Sequence, residues 1–121
     1  MKKWLAFSIA VMMAGALVAR AHGDEKAEAG SVTVKGEVLD MACYLDHGAS
    51  GEKHAGCAKT CIESGLPVGI KTEDGKTYLV IGQHEPLNKT LAPLAGKTVT
   101  LKGKLVTRDG ISMLANAELV K

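Results

Sequence analysis

Three cysteines and two histidines stand within nineteen residues of this chain, as Cys43, His47, His54, Cys57 and Cys61. Thiolate and imidazole are ligands that suit zinc and copper, whereas calcium and magnesium prefer oxygen ligands. The cluster therefore predicts a site for Cu(I) or Zn²⁺ that draws its ligands from these five residues. Either a tetrahedral zinc site with three cysteines and one histidine or a lower-coordinate Cu(I) thiolate site uses such a set.

A short helix is predicted over residues 54 to 64, because Gly65 and then Pro67 follow it in the usual order of helix stop signals. His54, Cys57 and Cys61 then share one helix face, at spacings of i, i+3 and i+7. Residues 47 to 53 are rich in glycine and serine and predict a loop. We expect Cys43, just past the end of the first strand, and His47, at the start of that loop, to close the ligand shell from the other side.

The positive end of that helix is expected to lower the pKa of the thiols on it, most for Cys57 and less for Cys61. Two acidic residues, Asp40 and Asp46, flank the first part of the cluster. They either accept hydrogen bonds from His47 or His54 as outer-shell partners of a metal site, or are solvated surface carboxylates.

Two other interpretations of the cysteines stay open. An odd number of thiols in an exported protein also fits one disulfide, from Cys43 to either Cys57 or Cys61, which would staple a ligand-binding module without metal. A third interpretation is thiol redox work, although the spacing is Cys-x3-Cys and no βαβ pattern accompanies it. No serine, histidine and acid set, phosphate loop or paired carboxylates stand out, so we expect no catalytic turnover.

The amino-terminal residues have the composition of a secretory signal peptide. Lys2 and Lys3 precede an apolar run over residues 4 to 18, and Ala19-Arg20-Ala21 has the small-x-small pattern of a cleavage site. The run is shorter than the roughly 20 residues that span a membrane. We therefore predict a signal peptide over residues 1–21, a periplasmic or secreted protein, and no stable membrane anchor after cleavage. Residues 22–30 have no hydrophobic period and predict a flexible leader.

Cleavage at this point leaves twelve basic and thirteen acidic side chains, so the mature chain is close to neutral. It has no basic surface of the kind that binds nucleic acid or anionic lipid. Tyr44 and Tyr78 are its only aromatic residues, which is too few for a base-stacking surface. We therefore expect no nucleic-acid partner.

Alternating apolar and polar residues predict five strands, over residues 31–42, 66–71, 76–81, 98–106 and 111–120. A second short helix is predicted over residues 85–94, between the third and fourth strands. This order predicts an all-β protein with short helices, a small five-stranded OB-like barrel with a Cys/His helical insert after strand 1. The barrel forms a single domain over residues 31–121, and the insert covers residues 43–65.

The strand sequences Val-Lys-Gly-Glu-Val at 34–38 and Val-Thr-Leu-Lys-Gly-Lys-Leu at 99–105 resemble the glycine-bent strands of small exported OB-fold proteins. Together with the insert, most of residues 31–121 resembles a group of exported bacterial OB-fold-like proteins with a Cys/His-rich insert. The Cys-x3-Cys spacing is also similar to that of exported copper chaperones, which have a different fold. The resemblance to the exported group implies no activity. The Cys/His cluster itself predicts a metal ion as ligand, and another exported metal-handling protein is a candidate partner.

Overall fold

A computed structural model describes residues 30–121. The predicted signal peptide over 1–21 and the leader as far as residue 29 lie outside the described residues. Within the described part of the chain, no helix has the length and apolar character needed to cross a membrane.

Five strands close into a barrel in the order β1-β2-β3-β5-β4, which confirms the predicted fold class. Neighbouring strands pair antiparallel, except that β3 and β5 run parallel. The strands are β1 (Ser31–Asp40), β2 (Val68–Thr72), β3 (Thr77–Val80), β4 (Thr98–Arg108) and β5 (Ile111–Leu119).

The first strand pairs with two partners at once, because it bends at Gly36. Its first half lies against β4 and its second half against β2, and Gly36 itself is paired with Thr72 on one side and Val99 on the other. A Cβ at this position would lie 2.3 Å from the carbonyl oxygen of Lys71, which is closer than any side chain tolerates. Glycine therefore allows the close approach that closes the barrel at this corner.

The interior of the barrel is filled by aliphatic side chains from every strand and from the helices. Leu101 and Leu114, from β4 and β5, are fully buried. So is Ile62, which comes from the insert and not from a strand, and Leu91, which comes from the segment between β3 and β4. The insert is therefore packed into the core that the barrel encloses.

The insert begins two residues earlier than predicted, and the predicted end of the first strand at residue 42 is wrong. The strand ends at Asp40, and residues 41 and 42, predicted to extend it, instead begin the helix α1 (Met41–His47). Asp40 caps this helix, and Gly48 ends it in the left-handed conformation at φ 72°. Cys43 and His47 consequently lie on a helix, not at a strand exit and a loop start.

The second helix of the insert is close to the prediction. A 3₁₀ turn (Glu52–His54) leads into α2 (Ala55–Glu63), and Gly65 follows with the positive φ expected of a helix stop. The helix predicted over 85–94 is shorter than expected. It consists of α3 (Asn88–Leu91) and a 3₁₀ turn (Ala92–Leu94), because Pro93 cannot supply the amide proton that a longer α-helix needs.

Candidate metal centre

The three cysteines are brought together by the two helices of the insert. Cys57 and Cys61 are one turn apart on α2, and Cys43 lies in the first turn of α1. The three Sγ atoms all lie within 4.8 Å of one another. In the part of the chain that the structure describes, this is the one group of three or more candidate ligand residues that meets this distance.

The spacing of the sulfurs is close to that of a metal thiolate site. With Zn–S bonds of about 2.3 Å, sulfurs bound to one ion stand roughly 3.8 to 4.0 Å apart. A disulfide needs the two sulfurs at about 2.05 Å and a specific torsion about the bond. The cluster can therefore close around an ion by small side-chain adjustments, and all three cysteines are free thiols in this structure.

The three thiols differ in their exposure to solvent. Cys57 is exposed, whereas Cys43 and Cys61 are half-buried between the helices and the barrel. All three sulfurs nevertheless lie within 4.8 Å of one another. An incoming ion or an exchanging ligand would therefore reach the sulfur of Cys57 first.

Asp40 is the acidic residue that touches this cluster, and it is not solvated. It is only 2 % exposed and is the one buried charged residue of the described chain. Its two carboxylate oxygens accept hydrogen bonds from the backbone N–H groups of Ala42, at 3.2 Å, and Cys43, at 3.1 Å. The expectation that Asp40 is a surface carboxylate or a partner of a histidine is therefore wrong.

The negative surroundings make the thiols harder to deprotonate. The hydrogen bond to Asp40 is the largest cause that raises the pKa of Cys43, from 9.0 to about 12, and burial and the Asp40 charge add to it. The pKa of Cys61 is raised as well, chiefly by burial and then by the charge of Asp40. The predicted lowering of the Cys61 pKa by the helix is therefore wrong, because burial and nearby negative charge outweigh the helix dipole.

This raised pKa predicts how the stability of the metal-free protein depends on pH. Folding favours the protonated thiol of Cys43, so the stability that it contributes is present below pH 9.0 and is lost as the pH rises towards about 12. We expect the free energy of unfolding of the reduced protein to fall across this range more steeply in the wild type than in Cys43→Ser. Urea unfolding at several pH values with chelator and reductant measures this difference. Parallel declines in the two proteins would contradict the assigned environment of Cys43.

The two histidines do not belong to the group of sulfurs within 4.8 Å. His47 lies one helical turn after Cys43, and its Nδ1 atom is 3.2 Å from the carboxylate of Asp46. His54 ends the 3₁₀ turn before α2, three residues ahead of Cys57, and is exposed. Both imidazoles thus stand about one turn from a cysteine, at the edge of the cluster.

Two contacts hold the insert against the barrel. The backbone N–H of Gly51, in the loop between the helices, donates to the carboxylate of Glu37 on β1. The side-chain amide of Asn88 donates to the carbonyl oxygens of Ile62 and Leu66, both at 2.8 Å, and so satisfies the carboxyl end of α2. These contacts, with the burial of Ile62, hold α2 in the position that places its two cysteines close to Cys43 on α1.

Asp40 is the residue of the site whose place sequence reasoning missed. A signal for it was present, because an aspartate directly before a run that ends in glycine is typical of a helix amino-terminal cap. Comparison of the chain with protein-family models, with curated proteins and with solved structures gives no match.

Proposed function

We propose that this protein is an exported metal-binding protein that holds Cu(I) or Zn²⁺ through Cys43, Cys57 and Cys61. The observation that carries the proposal is the approach of three thiols from two helices to within 4.8 Å of one another. Three sulfurs are the ligands that thiophilic d¹⁰ ions prefer. The role is binding or handling of the ion, without catalytic turnover.

The electrostatics of the cluster support a cation as its ligand. Asp40 and the neighbouring sulfurs oppose the appearance of further negative charge at Cys43 and Cys61. A bound metal ion supplies the compensating positive charge and holds coordinating thiols deprotonated. The thiolates and Asp40, which repel one another without metal, are each attracted to the bound cation. Binding therefore also releases the thiol protons.

His47 is the better placed of the two histidines for a fourth ligand. It follows Cys43 by four residues on α1, the spacing that also relates Cys57 and Cys61 on α2. Its contact with Asp46 engages Nδ1 and leaves Nε2 for a metal, the arrangement common among metal-binding histidines. His54 is the alternative ligand, from the turn before α2.

We expect metal affinity to weaken from pH 7 to pH 5, because free imidazole takes up a proton near pH 6.5 and thiolates also compete for protons. His47→Ala is expected to flatten this dependence, and competition titration with a chromophoric chelator at each pH measures it. His54→Ala tests the other ligand in the same assay. His84→Ala is the matched control, since His84 lies outside the insert and is exposed. Equal responses from all three variants, or affinity that ignores pH, would show that the histidines take no part.

Export rests on residues 1–21, whose composition is that of a signal peptide, and it implies a periplasmic or secreted location. A bound copper or zinc ion passes from one protein to another by ligand exchange. The exposed sulfur of Cys57 is suited to that exchange, since a thiol of another exported metal-handling protein can approach it directly.

Thiol counting on protein purified from the periplasm tests the proposal. We expect the intact protein to carry one metal ion and, after chelation, to take up three alkyl groups. The double variant Cys57→Ser with Cys61→Ser, purified in parallel, measures adventitious metal. Elemental analysis of the same samples identifies the ion.

A different result of that experiment would favour the disulfide-stapled module without metal. Cys43 would then pair with either Cys57 or Cys61, and the bond would tie α1 to α2. The protein would then lack a stoichiometric metal, take up one alkyl group, and take up three only after reduction.

A further inference from the structure

We infer that Asp40 is a specificity-determining residue that biases the three-cysteine site towards a divalent ion and against a monovalent one. The inference rests on the proposed function and adds the charge of the preferred ion, which the identity of the sulfur ligands leaves open. Zn²⁺ and Cu(I) have the same d¹⁰ configuration and both bind thiolates, so their charge is a principal difference between them at such a site.

The position of Asp40 is what gives its charge influence over a bound ion. Its carboxylate accepts a hydrogen bond from the backbone N–H of Cys43 at 3.1 Å, and it is buried, so water screens it little. An ion bound to the sulfur of Cys43 would therefore lie within roughly 8 Å of the carboxylate. Within the described chain, no lysine or arginine forms an ion pair with Asp40 under the 4.0 Å limit, so its charge is left facing the cluster.

Asp40 also serves the fold, and this role is separable from its charge. Both carboxylate oxygens accept backbone N–H bonds at the start of α1, which is the function of a helix cap. Asparagine and serine cap helices about as well as aspartate does. A neutral residue can thus keep the helix while removing the negative charge.

The comparison of two ions isolates the charge effect. Removing Asp40 changes how readily the thiols lose protons, and this change affects both ions alike when they bind the same three thiolates. The effect on thiol protonation therefore cancels when the affinity for Zn²⁺ is divided by the affinity for Cu(I). What remains in this ratio is the attraction between the carboxylate and the one extra positive charge of Zn²⁺. At an effective dielectric constant of about 20, a unit charge at this distance changes the ratio by about tenfold to a hundredfold.

The test measures the affinities of the full chain for Zn²⁺ and for Cu(I), each by competition with a chromophoric chelator, anaerobically at pH 7. We expect Asp40→Asn to lower the preference for Zn²⁺ over Cu(I) at least tenfold. Glu52→Gln is the matched control, because it removes the same charge from the same insert at an exposed carboxylate. It is expected to change the ratio less than twofold.

Asp40→Ser is a second neutral cap and is expected to shift the ratio as Asp40→Asn does. A ratio within twofold of that of Glu52→Gln in both variants would overturn the inference while leaving metal binding by the wild type intact. Loss of the wild-type circular-dichroism spectrum in both variants would also overturn it, since Asp40 would then be needed for the fold and not for selection. Wild-type protein that binds neither ion would instead overturn the proposed function itself.

Discussion

Cys61→Ser is expected to lower the affinity for Zn²⁺ or Cu(I) at least a hundredfold. Substitution of residues that only support metal ligands already costs about tenfold to a hundredfold, and loss of a ligand exceeds that range. Cys61 is one of three sulfurs that lie within 4.8 Å of one another, so its loss leaves an ion only two thiolate ligands. Competition titration with a chromophoric chelator measures the affinity.

Lys59→Ser is the matched control for this prediction. It introduces a serine on the same helix, at an exposed position whose side chain pairs with Glu63. We expect it to leave metal affinity within threefold of the wild type. A loss for Cys61→Ser no larger than this would show that the three sulfurs do not act as one site.

The barrel itself is expected to survive the loss of the sulfurs. Cys57 and Cys61 lie outside the hydrophobic core, whose strands carry their own apolar faces. The double variant Cys57→Ser with Cys61→Ser should therefore keep the strand signal in circular dichroism, which also makes it a suitable metal-free reference.

Ile62→Ala is expected to lower the free energy of unfolding by about 2 to 5 kcal/mol, the range for truncating a fully buried isoleucine or leucine. Ile62 is 0 % exposed and packs with residues of the barrel, although it belongs to α2. Such a loss is large for a small domain, whose total stability is about 5 to 15 kcal/mol. Urea unfolding of the reduced, metal-free protein measures it.

Leu45→Ala provides the comparison at a surface position of the insert. Leu45 is 74 % exposed on α1, so truncating it should change the stability by less than about 0.5 kcal/mol. If Ile62→Ala had an equally small effect, α2 would not be anchored in the core. The same would follow if it abolished helical signal while the strand signal and the unfolding transition stayed unchanged.

The five strands and their order could be predicted because strand formation leaves a local pattern. Residues that alternate between core and solvent do so every second position, and the turns at Asp74-Gly75 and Asp109-Gly110 separate the hairpins. The helix that carries Cys57 and Cys61 was predicted for the same reason, since its stop signal at Gly65 lies next to it in the chain. Such features depend on residues a few positions apart.

The helix α1 was missed because two local signals compete there. Val38 and Leu39 continue the apolar character of β1, so the sequence pattern predicts a strand as far as residue 42. Asp40 ends it, because its side chain accepts the first free N–H groups of the helix. That role is compatible with the sequence, but only the structure shows that Asp40 caps the helix, through its hydrogen bonds with Ala42 and Cys43.

The types and spacing of the ligand residues were determined by the sequence alone, and they predicted a thiophilic site. Which side chains meet was decided by the tertiary structure. The thiol of Cys43 lies within 4.8 Å of those of Cys57 and Cys61, because Ile62 anchors α2 in the barrel and brings together residues up to eighteen positions apart. Contacts of this kind leave no periodic pattern in the chain, since they depend on how distant elements pack and not on the conformation of neighbouring residues. The same packing buries Cys61 and thereby raises its pKa, so part of the charge environment of the site also follows from the tertiary structure.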